Sequence, residues 1–172
     1  DLQAVTHDKH MRVMDPAGRP PAGATTGPRP RSRAGFIRVD RLKGNIGYIA
    51  LAGFPAPGMF KDAANDAMRA VEGTDALIID MRRNGGGSPE AVAYLCSFLF
   101  DPSQPTHLND LIYRNPRTET FRTQTFFTVA VPSHYLRKPV ILITGQRTFS
   151  GGEEFVNDLK VLKRAKVVGE ST

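Results

Sequence analysis

From residue 76 onward, short unbroken apolar runs alternate with segments whose apolar positions recur every three to four residues. "ALIID" (76–80) and "PVILIT" (139–144) have strand length and no polar interruption before their ends, which predicts strands buried on both faces. After the first run, Ser88 and Pro89 stand as N-cap and first-turn residues and predict a helix through Phe100. A second helix is predicted from about Gly152 to Lys163, and "AKVVG" supplies a last strand. Upstream, Phe60, Ala63, Ala64, Ala67, Met68 and Val71 form a helical stripe in "GMFKDAANDAMRAVEG", with Gly73 placed to cap its C-terminus. "GFIRVDRLKGNIGYIALAGF" predicts two strands joined at "KGN". Residues 108–131, rich in Thr, Phe, Arg and Val with a turn at "NPRT", predict an irregular hairpin. The fold class is therefore α/β, with βαβ units and a mainly parallel sheet.

Composition adds boundaries to this order. At 172 residues the chain fits one domain with a substantial core. Residues 16–35, "PAGRPPAGATTGPRPRSRAG", hold four arginines, five prolines, four glycines and no acid, the composition of a solvated linker. This predicts an N-terminal segment over 1–15, a linker over 16–35 and an α/β domain over 36–172. A start at Asp1 and an end at "GEST" lead us to expect a piece of a longer protein, truncated in the last domain.

The net charge of +6 invites a nucleic-acid partner. Outside the linker, however, Lys and Arg are interspersed with acids, no aromatic-interleaved basic motif appears, and no nucleic-acid binding is expected. No apolar run reaches membrane-spanning length. One cysteine, Cys96 in "AVAYLCSFLF", excludes an internal disulfide framework and reads as a buried small hydrophobe. No cofactor or metal is expected.

Candidate chemistry collects at two strand ends, where open α/β sheets place their sites. In "DMRRNGGGSPEA" a strand runs through Asp80, Arg82 and Asn84 into Gly85, Gly86 and Gly87 before a helix. Such a loop can aim backbone N–H groups at an anion, although it lacks the spacing of phosphate- and dinucleotide-binding loops. In "ILITGQRTFSGGEEF", Ser150 lies a few residues beyond a strand and directly before a helix. Serine there is commonly only an N-cap. It also follows the logic of a nucleophile elbow without the G-x-S-x-G pattern, the Gly151 N–H pointing the same way as the hydroxyl. Facing loops would combine a nucleophile with two donors for an oxyanion.

These stretches, with "DKHMRV", "GNIGYIALAGF" and "LKRAKVVGEST", resemble the C-terminal processing, or tail-specific, serine peptidases. The closer likeness is to the branch of interphotoreceptor retinoid-binding protein and its bacterial relatives. Many members carry a PDZ domain between the early His motif and the glycine strand. Here roughly thirty residues fill that interval, too few for an independent domain, which favours the branch without it. The resemblance implies a ClpP/crotonase-like fold, Ser150 as nucleophile, and an oxyanion hole from Gly151 with Gly87, or alternatively Gly86. It also implies a polypeptide substrate, cut near a C-terminus, and members are commonly exported.

The better-known branch takes its base from a lysine 25 residues after the serine, which would fall beyond Thr172. Lys160, Lys163 and Lys166 do not match that place and read as a solvated helix end. Tricorn-type relatives use an early histidine, and His10, flanked by Asp8 and Arg12, matches it. Histidine suits a base because it titrates near neutrality. His7 lies off the motif, and His107 and His134 are expected at the surface. Glu153 and Glu154 suit the first turn of a helix. Asp80, Arg82 and Glu170 match family positions, Asp80 and Arg82 with the expected task of orienting the glycine loop. The alternative to a peptidase is a carrier of lipophilic ligands, a retinoid or fatty acid, on the same scaffold. A crotonase-like acyl-CoA enzyme would leave Ser150 without a role.

Overall fold

The computed structural model describes residues 33–115 and 117–172, so His10, Asp8 and the linker up to residue 32 lie outside the described residues. Among the described residues seven strands and three helices follow in order: β1 Phe36–Leu42, β2 Ile46–Leu51, α1 Pro57–Val71, β3 Ala76–Asp80, α2 Pro89–Ser97, β4 His107–Arg114, β5 Phe121–Phe127, β6 Val140–Thr144, α3 Gly151–Val161 and β7 Lys166–Gly169. The main sheet has the order β1-β2-β3-β6-β7, and β4 and β5 form a separate antiparallel ribbon. β1 runs antiparallel to β2, and every other pair in the main sheet is parallel. The architecture is a mixed α/β fold with a mostly parallel central sheet.

Local chemistry explains the elements. The β1–β2 hairpin turns where Gly44 and Asn45 both take positive φ (82° and 57°), a conformation glycine and asparagine tolerate. Pro57 opens α1, whose buried residues are the six of the predicted stripe. Ser88 caps α2 by accepting from the Ala91 N–H at 3.4 Å, again with proline next. Two boundaries differ. Gly73 does not adopt the left-handed conformation of a capping glycine, because α1 closes through Glu72 in a right-handed conformation. α2 ends at Ser97 rather than Phe100, its C-cap being Phe98, whose N–H bonds back to Leu95.

The predicted burial of β3 and β6 on both faces is also corrected. Ile49, Leu51, Leu77, Ile79, Val140 and Leu142 point to one face and join α1, α2 and α3 in one core. Tyr48, Ile78, Ile141 and Ile143, on the other face, are only half-buried. Apolar residues at every position fix a strand's length but cannot say that one face is left partly open. The irregular hairpin expected over 108–131 is an antiparallel ladder from His107–Phe127 to Arg114–Phe121 with one register shift.

α2 is the innermost helix, with every residue from Ala91 to Ser97 buried. Ser97, polar in this core, is satisfied by donating to Ala93 O (2.7 Å) and accepting from Val129 N (2.9 Å). Phe54 joins α1 to α3: its ring lies 5.7 Å from that of Phe60 and 5.6 Å from that of Phe155. The next backbone contact of Phe54 is with the glycine loop after β3, so the core wedge and the loop share one residue.

Candidate active site

Two loops meet at the carboxyl ends of β3 and β6. The β3–α2 loop is held at its start by Asp80, which accepts from Arg82 (Nη2 2.6 Å, Nε 3.0 Å, N 3.0 Å) and from the Tyr48 hydroxyl at 2.7 Å. Burial alone would raise the Asp80 pKa, but these donors outweigh it and hold the carboxyl below its usual value. Its hydrogen bonds to the Asp80 carboxylate hold the Arg82 guanidinium firmly protonated.

Asn84, fully buried, shapes the glycine turn itself. Its Oδ1 accepts from Gly86 N at 2.8 Å and its carbonyl accepts from Phe149 N at 3.0 Å, which ties the two loops together. Gly86 O accepts from Phe54 N (2.8 Å) and Ser88 N donates to Phe54 O (2.7 Å). Between them, Gly87 sits at φ +142°, where a Cβ would stand 1.9 Å from Phe54 O, so only glycine fits. The N–H groups of Gly87 and Gly151 have no partner among the described residues. They are neighbours: a methyl on Gly151 would lie 3.1 Å from Gly87 N.

The β6–α3 loop is a latch built on Thr148. Its hydroxyl donates to Met81 O (2.9 Å) and accepts from Gly145 N (3.0 Å), and it is fully buried. The chain then reaches Ser150 at φ 53°, ψ −123°, a combination that residues with a Cβ rarely adopt. Ser150 and Glu153 form only the Glu153 half of a capping box. The Glu153 carboxylate accepts from Ser150 N at 2.8 Å, whereas the serine side chain makes no capping hydrogen bond to the helix. Ser150 Cβ packs over Gly86, where an added Cβ would come within 2.8 Å of it.

Ser150, Gly86, Gly87 and Gly151 are thus brought together, and Asp80 and Arg82 brace the same loop from its base. Glu170 directly follows β7 beside the latch, its carboxylate accepting from Gln146 N at 3.1 Å. Asn84 and Thr148 were missed as site-building residues. Asparagine before glycines is a turn signal, but its reach to a second loop is not visible in the chain. Lys160, Lys163 and Lys166 are exposed, as expected. His107 is exposed beside Asp110. His134, expected at the surface, is half-buried, and its Nδ1 is buried without a partner among the described residues. Cys96 is fully buried; desolvation, with Asp158 and Glu154 nearby, pushes its thiol pKa up and leaves it unreactive.

A cleft of about 620 Å³ opens beside the latch, lined by Tyr48, Asp80, Arg82, Arg83, Gln146 and Arg147 among others. Ser150 is not part of its wall. Among the described residues no three His, Cys, Asp or Glu side chains gather as a metal site, and no helix is long and apolar enough to cross a membrane.

A strained serine at a strand-to-helix turn thus stands over a glycine loop whose Gly87 N–H, like that of Gly151, has no partner among the described residues. The model of peptidase family S41 matches residues 45–172. The chain belongs to that family. The S41 match takes in both loops, β2 to β7 and all three helices. Among solved structures, the photosystem II D1 C-terminal processing protease is 26% identical, with a TM-score of 0.56 over 75% of this chain and 32% of its own. A candidate peptidase from Parabacteroides merdae is 22% identical, with a TM-score of 0.60 over 78% of this chain and 42% of its own. Mature CPAF is 16% identical, with a TM-score of 0.57 over 72% and 37%. The last two speak for the fold alone. The chain spans less than half the length of each.

Proposed function

We propose that this S41 chain carries the nucleophile of a serine peptidase acting on polypeptides. The observation that supports it most is the backbone of Ser150, φ 53° and ψ −123°, which a helix cap alone does not need. In this reading Ser150 Oγ attacks the scissile carbonyl carbon and its proton passes to the base. The base then protonates the departing amine, leaving an acyl-enzyme that water hydrolyses. The N–H groups of Gly87 and Gly151 hold the oxyanion. Gly87 is favoured over Gly86 because the Gly86 N–H is already engaged by Asn84. Losing one such donor costs about 3 kcal/mol in the transition state.

His10, assisted by Asp8, is the base in this reading, with a residue beyond Thr172 as the alternative. The fold is read as ClpP/crotonase-like, and the short interval before β1 favours the branch without a PDZ domain. Asp80, Arg82 and Glu170 act as braces for the loops.

Incubating the full-length protein with a fluorophosphonate probe and mapping the adduct by mass spectrometry tests the assignment. Ser150 is expected to carry the label and Ser150→Ala to carry none. An unlabelled Ser150, while a control serine peptidase reacts, overturns the reading. Fatty-acid uptake without turnover of any peptide would favour the carrier instead. His10→Gln should slow labelling at least about tenfold. Unchanged labelling assigns the base elsewhere.

A further inference from the structure

Arg83 and Arg147 are the two cations of the 620 Å³ cleft that no anion among the described residues engages. Its other charges are satisfied. Arg82 is forked onto Asp80, Arg38 pairs with Asp40, and Glu170 accepts from Gln146 N. Both free guanidiniums are exposed, on the two loops that build the Ser150 site. Arg83 precedes the glycine turn, and Arg147 lies three residues before Ser150. The Phe149–Asn84 backbone bond holds the two loops side by side, and Gly145 packs against Arg82, a Cβ there coming within 3.3 Å of its side chain.

Three residues of chain span at most about 11 Å. An extended peptide covers that distance in about three residues. Two unengaged guanidiniums in a concave wall concentrate positive potential there. Their planar forks match a carboxylate better than any neutral side chain. We propose that this cleft is a specificity subsite for a carboxylate of the peptide substrate, lying within about three residues of the scissile bond, with Arg83 and Arg147 as its specificity-determining residues. The carboxylate is supplied either by an Asp or Glu side chain or by a free chain end. This rests on the reading of Ser150 as a peptidase nucleophile.

Binding is measured so that catalysis does not enter. Full-length Ser150→Ala protein is titrated by fluorescence anisotropy with short labelled alanine-rich peptides. One carries Glu and an amidated end, one Gln and an amidated end, and one Gln and a free carboxyl end. The Glu peptide, the free-end peptide or both should bind about tenfold tighter than the amidated Gln peptide, the preference shrinking with added salt. Whichever arm gains identifies the source of the carboxylate. Adding Arg83→Gln and Arg147→Gln should abolish the gain and leave binding of the amidated Gln peptide unchanged. Equal binding of all three peptides, or a preference that survives both substitutions, overturns the subsite. Failure of Ser150 to react with the fluorophosphonate overturns the peptidase reading and with it the link to a scissile bond, whereas the titration reads carboxylate binding by itself, so the two failures are distinguishable.

Discussion

Ser150 holds a backbone conformation costing about 1–3 kcal/mol, and the surrounding loops keep it there. That strain separates its two readings. If Ser150 served only as a cap, Ser150→Gly would lose a few tenths of a kcal/mol and Ser150→Ala about 1 kcal/mol. Strain relief instead predicts that Ser150→Gly is more stable than the parent by about 1 kcal/mol, with peptidase labelling abolished. Thermal unfolding of the three proteins side by side measures the sign. Gly87 is the opposite case, since its φ of +142° and the 1.9 Å clash with Phe54 O leave no room for a methyl. Gly87→Ala should cost more than about 2 kcal/mol, read as a lowered denaturation midpoint, and should disturb the Phe54 wedge as well. Serine as the candidate nucleophile could be read from its neighbours in the chain. Its ψ of −123° could not, because a dihedral is fixed by what the loops press against.

At the scale of elements, both loops are set by single buried polar side chains. The Asn84 side chain shapes the glycine turn through Gly86 N, its main-chain carbonyl ties that turn to the Ser150 turn through Phe149 N, and the Thr148 hydroxyl closes the latch onto Met81 O. Asn84→Ala leaves the Gly86 N–H short of an acceptor, while the Phe149 N–H keeps the main-chain carbonyl of residue 84. It should cost about 1–3 kcal/mol of stability and slow fluorophosphonate labelling of Ser150 at least about tenfold. A labelling rate equal to the parent's would show that the loop keeps its shape without Asn84. Ser88→Ala removes the α2 cap and the hydroxyl bond to Glu90, and should cost about 1 kcal/mol while leaving the rate unchanged. The start of α2 was legible because the Ser88 cap and Pro89 act on their own neighbours. The ends of α1 and α2 were not, because Glu72 and Phe98 stop the helices through local hydrogen bonds rather than through a glycine.

Across the whole molecule, two sets of carboxyls respond to pH in opposite directions. Asp80, held below its usual value, contributes stability above about pH 4 that is lost as pH falls through its folded pKa. Asp158 and Glu154 are pushed up, chiefly by burial and against the hydrogen bonds from Asn109. Their contribution is fully present below about pH 4 and is lost as pH rises through their folded values. Asp158→Asn should therefore raise the melting temperature near neutral pH and leave it nearly unchanged in acid. A uniform shift at all pH values would mean that the charge of Asp158 is not what costs stability.

Without its tertiary structure the chain already specified the α/β class, the six-residue core stripe of α1, the α2 cap and the two loops that matter. These are local or periodic properties, written in residues that are close in sequence. Only the folded molecule decided that the sheet keeps one face half-open, that Gly86 has lost its N–H to Asn84 while Gly87 has not, and that Arg83 and Arg147 share one cleft. Each of those depends on which groups from distant segments meet, and hydrogen-bond partners and open space are properties of that meeting rather than of any one segment.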